Sequence, residues 1–169
     1  MSNYDEIISQ LNDPSFDKIR NIAISDLPYL TKREDERLWT DLNHGTELLN
    51  TPVLMCKYLQ AYGKMHQAKI KKAVEKIPLE TYSADFDIID WGCGQGLATM
   101  CFLDNLNEKN INYKINKVIL IEPSENVLKR AKLHLSSYLQ DRTEIIPYCK
   151  FLNEVETEDI LKVTSTTVL

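Results

Sequence analysis

Apolar positions change their period once along this chain. Over residues 1–80 they recur at helical spacing among polar and charged positions, and no segment alternates as a strand does. Leu54, Tyr58, Tyr62, Met65, Ile70, Val74 and Ile77 form one stripe at steps of three to five residues. Thr51 can cap that segment, Pro52 suits a first helical position, and Pro78 stops it, which predicts a helix over 52–77. Shorter helices are predicted near 3–12 and 33–50, with the charge run Lys32-Arg33-Glu34-Asp35-Glu36-Arg37 as a solvated face. Tyr58, Tyr62 and His66 share one helical face, expected to pack under a sheet rather than to close over a ligand.

From residue 86 the pattern is different. Phe86-Asp87-Ile88-Ile89-Asp90-Trp91 reads as a strand stopped by Gly92, and Lys117 to Glu122 as a second whose continuous aliphatic run suits burial on both faces. Helices are predicted from Leu97 to about Asn107 and from Ser124 to about Leu139, with a helical turn near 156–161. Residues 144–148 read as a third strand, and Thr166-Thr167-Val168-Leu169 as a fourth just beginning. Alternating strands and helices predict an α/β fold with a doubly wound parallel sheet. The expected division is an N-terminal helical region, 1–80, packing on a sheet domain, 81–169.

Composition narrows the function classes. The 169 residues carry 20 basic and 25 acidic side chains, a net charge of −5, which argues against a uniformly basic nucleic-acid surface. No apolar run approaches the ~18–20 residues needed to cross a bilayer, and the start lacks the features of a secretory signal. A cytoplasmic protein is the expectation. Cys56, Cys93, Cys101 and Cys149 show no metal-binding spacing, so no metal site is expected.

The chemistry concentrates at the first strand-to-helix turn, Asp90-Trp91-Gly92-Cys93-Gly94-Gln95-Gly96. Glycines at every second position leave a loop whose backbone N–H groups, with the positive end of the next helix, can face a ligand. Glu122 ends the following strand, 32 residues after Asp90. An acid there reaches the crevice above the turn, where it can accept both hydroxyls of a ribose. The pair specifies a nucleoside-containing ligand.

With its acid two residues before the first glycine, the segment resembles the class I S-adenosylmethionine-dependent methyltransferases. Their first motif looks like Asp90-x-Gly92-x-Gly94-x-Gly96, and their second like Glu122 in Ile-Glu-Pro-Ser. The resemblance covers residues 86–125 and, more loosely, 52–165. It implies a Rossmann-like sheet, S-adenosylmethionine as cofactor, and methyl transfer leaving S-adenosylhomocysteine. The cofactor-binding residues it implies are Asp90, Trp91, Gly92, Cys93, Gly94, Gly96, Glu122, Pro123 and Ser124. Gly92 and Gly94 would let the backbone approach the methionine moiety, and Gly96 would let helix and strand pack closely. Asp90 would anchor the loop or the cofactor's ammonium group, and Glu122 would bind the ribose. Pro123 and Ser124 would lie beside the adenine, with Trp91 or residues near Tyr148 and Phe151 as apolar walls.

The departures matter as well. Pro147-Tyr148-Cys149-Lys150 offers no acid for the adenine amine, and Cys93 has no partner histidine that would make it a nucleophile. Catalytic residues are therefore unassigned. Complete domains of that family have more strands, with the target-facing motif after the fourth. The expectation is the cofactor-binding part of a longer enzyme, cut short after about four strands, with the acceptor open among RNA, DNA, protein and small molecules. The alternative is a non-catalytic nucleotide-binding or scaffold domain that kept the fold. A nicotinamide-dependent oxidoreductase is disfavoured because its fingerprint is Gly-x-Gly-x-x-Gly.

Overall fold

A strand with apolar side chains on both faces has to lie inside a sheet, and β1 (Asp85–Trp91) does: five of its seven residues are buried. The computed structural model describes residues 3–43, 48–77, 85–139, 143–160 and 167–168. Around β1 stand β2 (Lys114–Ile121), β3 (Glu144–Tyr148) and β4 (Thr167–Val168), all parallel, in the order β3-β2-β1-β4. The chain steps outward from β1 to β3, then returns to the other side of β1. That reversal opens a crevice at the carboxyl end of β1, the place where open α/β sheets bind ligands. The fold is α/β, with a Rossmann-like, doubly wound parallel sheet and an N-terminal helical part.

The two sheet faces are covered differently. Phe86, Ile88, Ile115, Val118 and Leu120 share one core with α5 (Leu97–Glu108) and α6 (Glu125–Tyr138). On the opposite face Ile89, Ile119 and Ile121 meet Val155 and Ile160, the latter in the short helix α7 (Thr157–Ile160). Between Phe86 and Ile88 the β1–β2 register shifts, and there the fully buried Asp87 accepts a hydrogen bond from the Lys117 N–H at 3.0 Å.

The N-terminal helices add a layer outside α5 and α6. They are α1 (Asn3–Ser9), α2 (Phe16–Ser25), α3 (Lys32–Asp41) and α4 (Pro52–Val74). Tyr4, Ile8, Phe16, Ile19 and Leu59 belong to the same core as the sheet residues. Where α2 crosses α4, a Cβ on Gly63 would stand 3.1 Å from the Phe16 ring, so glycine sets that close approach. Asp104 on α5 ties two helices together: one oxygen accepts from the Phe16 N–H at 2.9 Å and the other from the Tyr138 hydroxyl at 3.0 Å. Its burial pushes the Asp104 carboxyl above the ordinary range.

Several sequence expectations shift. The helix expected over 3–12 ends at Ser9, and α2 was not anticipated at all. Ser15 accepts from the Lys18 N–H as its N-cap, and Phe16, Ile19 and Ala23 form its buried face. The helix expected over 33–50 stops at Asp41, and Asn43 turns left-handed with φ of 41°. The helix expected over 52–77 stops at Val74. Its deepest face is Cys56, Leu59 and Gly63, whereas Leu54, Tyr58 and Tyr62 are partly buried on a second cluster and Met65 is exposed. The solvated charge run has one exception, Asp35, which pairs with the buried Lys57. Strand β2 begins at Lys114, three residues early, and of the fourth strand only Thr167–Val168 lies within the described residues.

Candidate functional site

The parallel ladder continues past the strand ends and brings the two motifs side by side. Cys93 N–H donates to the Ile121 carbonyl at 3.0 Å, and Glu122 N–H donates to the Tyr148 carbonyl at 3.1 Å. The glycine turn and Glu122 therefore sit on the same, carboxyl edge of neighbouring parallel strands, as the motif spacing requires. The Glu122 carboxylate faces the turn. Its Oε2 accepts from the Gly94 N–H at 3.2 Å and its Oε1 from the Ser124 N–H at 3.1 Å. Each oxygen keeps a further lone pair.

All three glycines of the turn are left-handed, with φ of 62° at Gly92, 51° at Gly94 and 79° at Gly96. Their surroundings divide them. Among the described residues a Cβ on Gly92 or Gly94 would meet nothing within 4 Å, whereas one on Gly96 would touch Leu135 at 3.4 Å and Ala131 at 3.6 Å. Gly96 thus serves the packing of α6 against the turn, and Gly92 and Gly94 form an open cradle. Gly96 is also the N-cap of α5 and makes no side-chain cap bond, so the first turn of α5 opens toward the cleft at Leu97 and Ala98.

Asp90 lies inside this wall, 5% exposed, and its Oδ2 accepts from Thr99 Oγ1 at 2.6 Å. That bond fastens the end of β1 to the first turns of α5. Burial raises the Asp90 carboxyl above its ordinary range despite the Thr99 bond, and the Glu122 charge pushes the same way. Cys93 is buried, its thiol pushed up mainly by burial and further by Asp90 and Glu122. It is a packing residue, and its thiolate is suppressed.

The cleft over the turn has a volume of about 400 Å³. Its floor is Asp90 to Gln95 with Glu122, and its far wall comes from α4 through Tyr58, Leu59, His66 and Ile70. The expectation that the aromatic face of α4 packs under the sheet is corrected here: Tyr58 and His66 line the cleft. Their rings stack at 5.9 Å and the Tyr58 hydroxyl stands 3.3 Å from His66 Nε2. Tyr62 instead meets Trp39 edge-on, away from the cleft lining. Burial, with Lys69 nearby, holds His66 below its ordinary pKa.

Trp91, 43% exposed, stands at the rim. Pro123 and Ser124 are adjacent to Glu122 but outside the cleft lining. The Pro123 carbonyl accepts from the Cys149 thiol at 3.3 Å, and the Ser124 hydroxyl caps α6 through the Val127 N–H. Tyr148 packs with the cluster on the opposite sheet face. The site also draws on residues that were not singled out from sequence, three of them with a visible task. Thr99 orients Asp90, Gln95 turns its side chain into the protein, and Val127 closes one corner. A hydroxyl nine residues after Asp90, in the first turns of the helix, was the available signal for Thr99.

Among the described residues no helix is long and apolar enough to cross a membrane. No protein-family model matches the chain, and no curated protein matches it. Among solved structures it is similar to a candidate class I S-adenosylmethionine-dependent methyltransferase from Listeria monocytogenes, with 12% identity and a TM-score of 0.40. That likeness covers 82% of this chain and 35% of the other, so the chain spans about a third of that protein's length. A likeness this distant assigns no function.

Proposed function

We propose that the cleft binds S-adenosylmethionine and that the chain is the cofactor-binding part of a methyltransferase. The carrying observation is the charge of the cleft. Glu122 and, largely buried, Asp90 line it, and among the described residues no lysine or arginine does. A ligand with sulfonium and ammonium charges suits that lining. A dinucleotide's pyrophosphate would bring negative charge into the same lining, with no cationic side chain among the described residues there to meet it.

The remaining groups match the rest of such a ligand. The free lone pairs of Glu122 suit two vicinal ribose hydroxyls. The open cradle at Gly92 and Gly94 admits the methionine chain against bare backbone, and the start of α5, whose N-cap is a glycine, suits its carboxylate. The volume of about 400 Å³ falls in the range of ligand pockets. Bound here, the cofactor supplies a methyl already activated on sulfur, so these residues have chiefly to hold and aim it.

Thermal melting with S-adenosylhomocysteine or NAD tests the reading. A ligand that binds only the folded state raises the melting temperature by mass action. The expected result is a clear rise with S-adenosylhomocysteine and little with NAD. A larger rise with NAD, or none with either, overturns the proposal.

A further inference from the structure

The inner lip of the cleft is fixed from outside it, through Gln95. The Gln95 carbonyl lies 2.9 Å from His134 Nδ1, and both residues are buried. A carbonyl has no proton to give, so Nδ1 carries the hydrogen and donates it. Nε2 is then the acceptor, and the fully buried Tyr4 hydroxyl donates to it at 2.8 Å. The Tyr4 ring is held in turn by the Arg130 guanidinium, 4.0 Å from its centroid. A second tether leaves the same residue, because Gln95 Nε2 donates to the Met55 carbonyl on α4 at 3.0 Å.

These bonds act on one peptide unit. The carbonyl of the Gln95–Gly96 peptide is held by His134, and its N–H donates to the Cys93 carbonyl at 2.8 Å. Rotating that peptide breaks both bonds and leaves buried polar atoms unsatisfied. Its orientation sets the left-handed turn between the cradle and the first turn of α5. We propose that the buried chain Tyr4–His134–Gln95 is a positioning device for the ligand-binding turn, by which the N-terminal helix α1 holds the geometry of the cleft. Tyr4 and His134 touch no ligand; they act through Gln95. The proposal rests on the reading of the cleft as a cofactor site, since affinity is one of its measures.

A pair of variants separates positioning from bulk stability. The His134→Asn change keeps an amide donor near the place of Nδ1, so it can still serve the Gln95 carbonyl. The His134→Gln change reaches toward the place of Nε2 and serves Tyr4 alone. Both remove the ring and are expected to lower the melting temperature. Titration calorimetry with S-adenosylhomocysteine should show a loss on the order of tenfold for His134→Gln and a smaller one, about threefold or less, for His134→Asn. Equal losses in the two, or none in either, overturn the proposal. Should wild type fail to bind, the cofactor reading is at fault, and the device is judged without ligand. The amide resonances of Gly94 and Gly96 should then move in His134→Gln and in the milder Tyr4→Phe, and hold near wild type in His134→Asn. Unmoved glycine amides in His134→Gln and Tyr4→Phe overturn it.

Discussion

Glu122 and Gly94 are joined along the floor of the cleft, the Oε2 of one accepting the N–H of the other at 3.2 Å. With the Ser124 N–H on Oε1 at 3.1 Å, the carboxylate is pinned by two backbone donors before any ligand arrives.

Glu122→Gln therefore has two effects. An amide presents a donor where a backbone N–H needs an acceptor, so stability should fall by about 1–3 kcal/mol. A strand-end acid facing an open crevice would have cost almost nothing, and the two bonds are the reason this one differs. Losing the charged partner of the ribose hydroxyls should weaken S-adenosylhomocysteine binding on the order of 30- to 150-fold, or about 2–3 kcal/mol. Calorimetric titration against Glu125→Gln, which should bind like wild type, checks the second effect, and urea unfolding the first.

The glycines of the turn should fail in different ways. Gly94→Ala puts a Cβ into open space at φ of 51°, so its folding cost is the left-handed penalty alone, about 1–2 kcal/mol. The methyl occupies the cradle, so ligand binding should drop by at least about tenfold. Gly96→Ala adds contact with Leu135 at 3.4 Å to the same backbone penalty, and should lose more stability than Gly94→Ala. Melting curves and titrations of both variants decide it. The same ranking in both assays would contradict the division of roles.

How much of this was legible follows the range of the contacts. Thr51, Pro52, Ser124 and the glycine turn act within a few residues of themselves, and each stands where the sequence implies. Both motif strands were legible for the same reason, since a continuous aliphatic run fixes burial without naming partners. Helix α2 carried an N-cap and an apolar face at 16, 19 and 23, but half of its ten residues are polar, and one anchor is Asp104, 88 positions away. Tyr58 and His66 could be put on one face of α4 by periodicity, which does not say what that face meets. His134 reaches Tyr4 across 130 residues, a relation no local pattern carries.

Acid should weaken the fold through His134. Burial drives its pKa from 6.5 down to about 3, so between those values the unfolded chain binds a proton that the folded chain refuses. Stability contributed by this group is full above pH 6.5 and is lost as pH falls toward 3, with a slope of at most about 1.4 kcal/mol per pH unit. Asp90 and Asp104, both raised, work the other way and take up protons first in the folded state. Comparing wild type with His134→Gln between pH 7 and 5.5 isolates the histidine, and the variant should show the shallower decline. Parallel curves would exclude it.

Thiol labelling should read the burial pattern. Cys149 is exposed, whereas Cys56, Cys93 and Cys101 are buried, and burial pushes the Cys56 thiol up to about 11 and the Cys101 thiol up to about 12. With a disulfide reagent at pH 8, one thiol per chain should react at the rate of a free cysteine, and the other three only on unfolding. A second fast thiol would show that the packing around α4, the glycine turn or α5 opens readily.

Helix α3 has no buried residue of its own. Asp35 and Trp39 reach Lys57 and Tyr62 on α4, while Leu42, just past its end, is fully buried. The segment is thus anchored at one end and latched along its length by a single ion pair and one indole. Such a helix has a small free-energy gap to local opening, so its amides should exchange with solvent through a sub-global event that leaves the sheet closed. When it peels back about Leu42, Lys57 loses its counter-charge and must find water. That makes the opening sensitive to ionic strength.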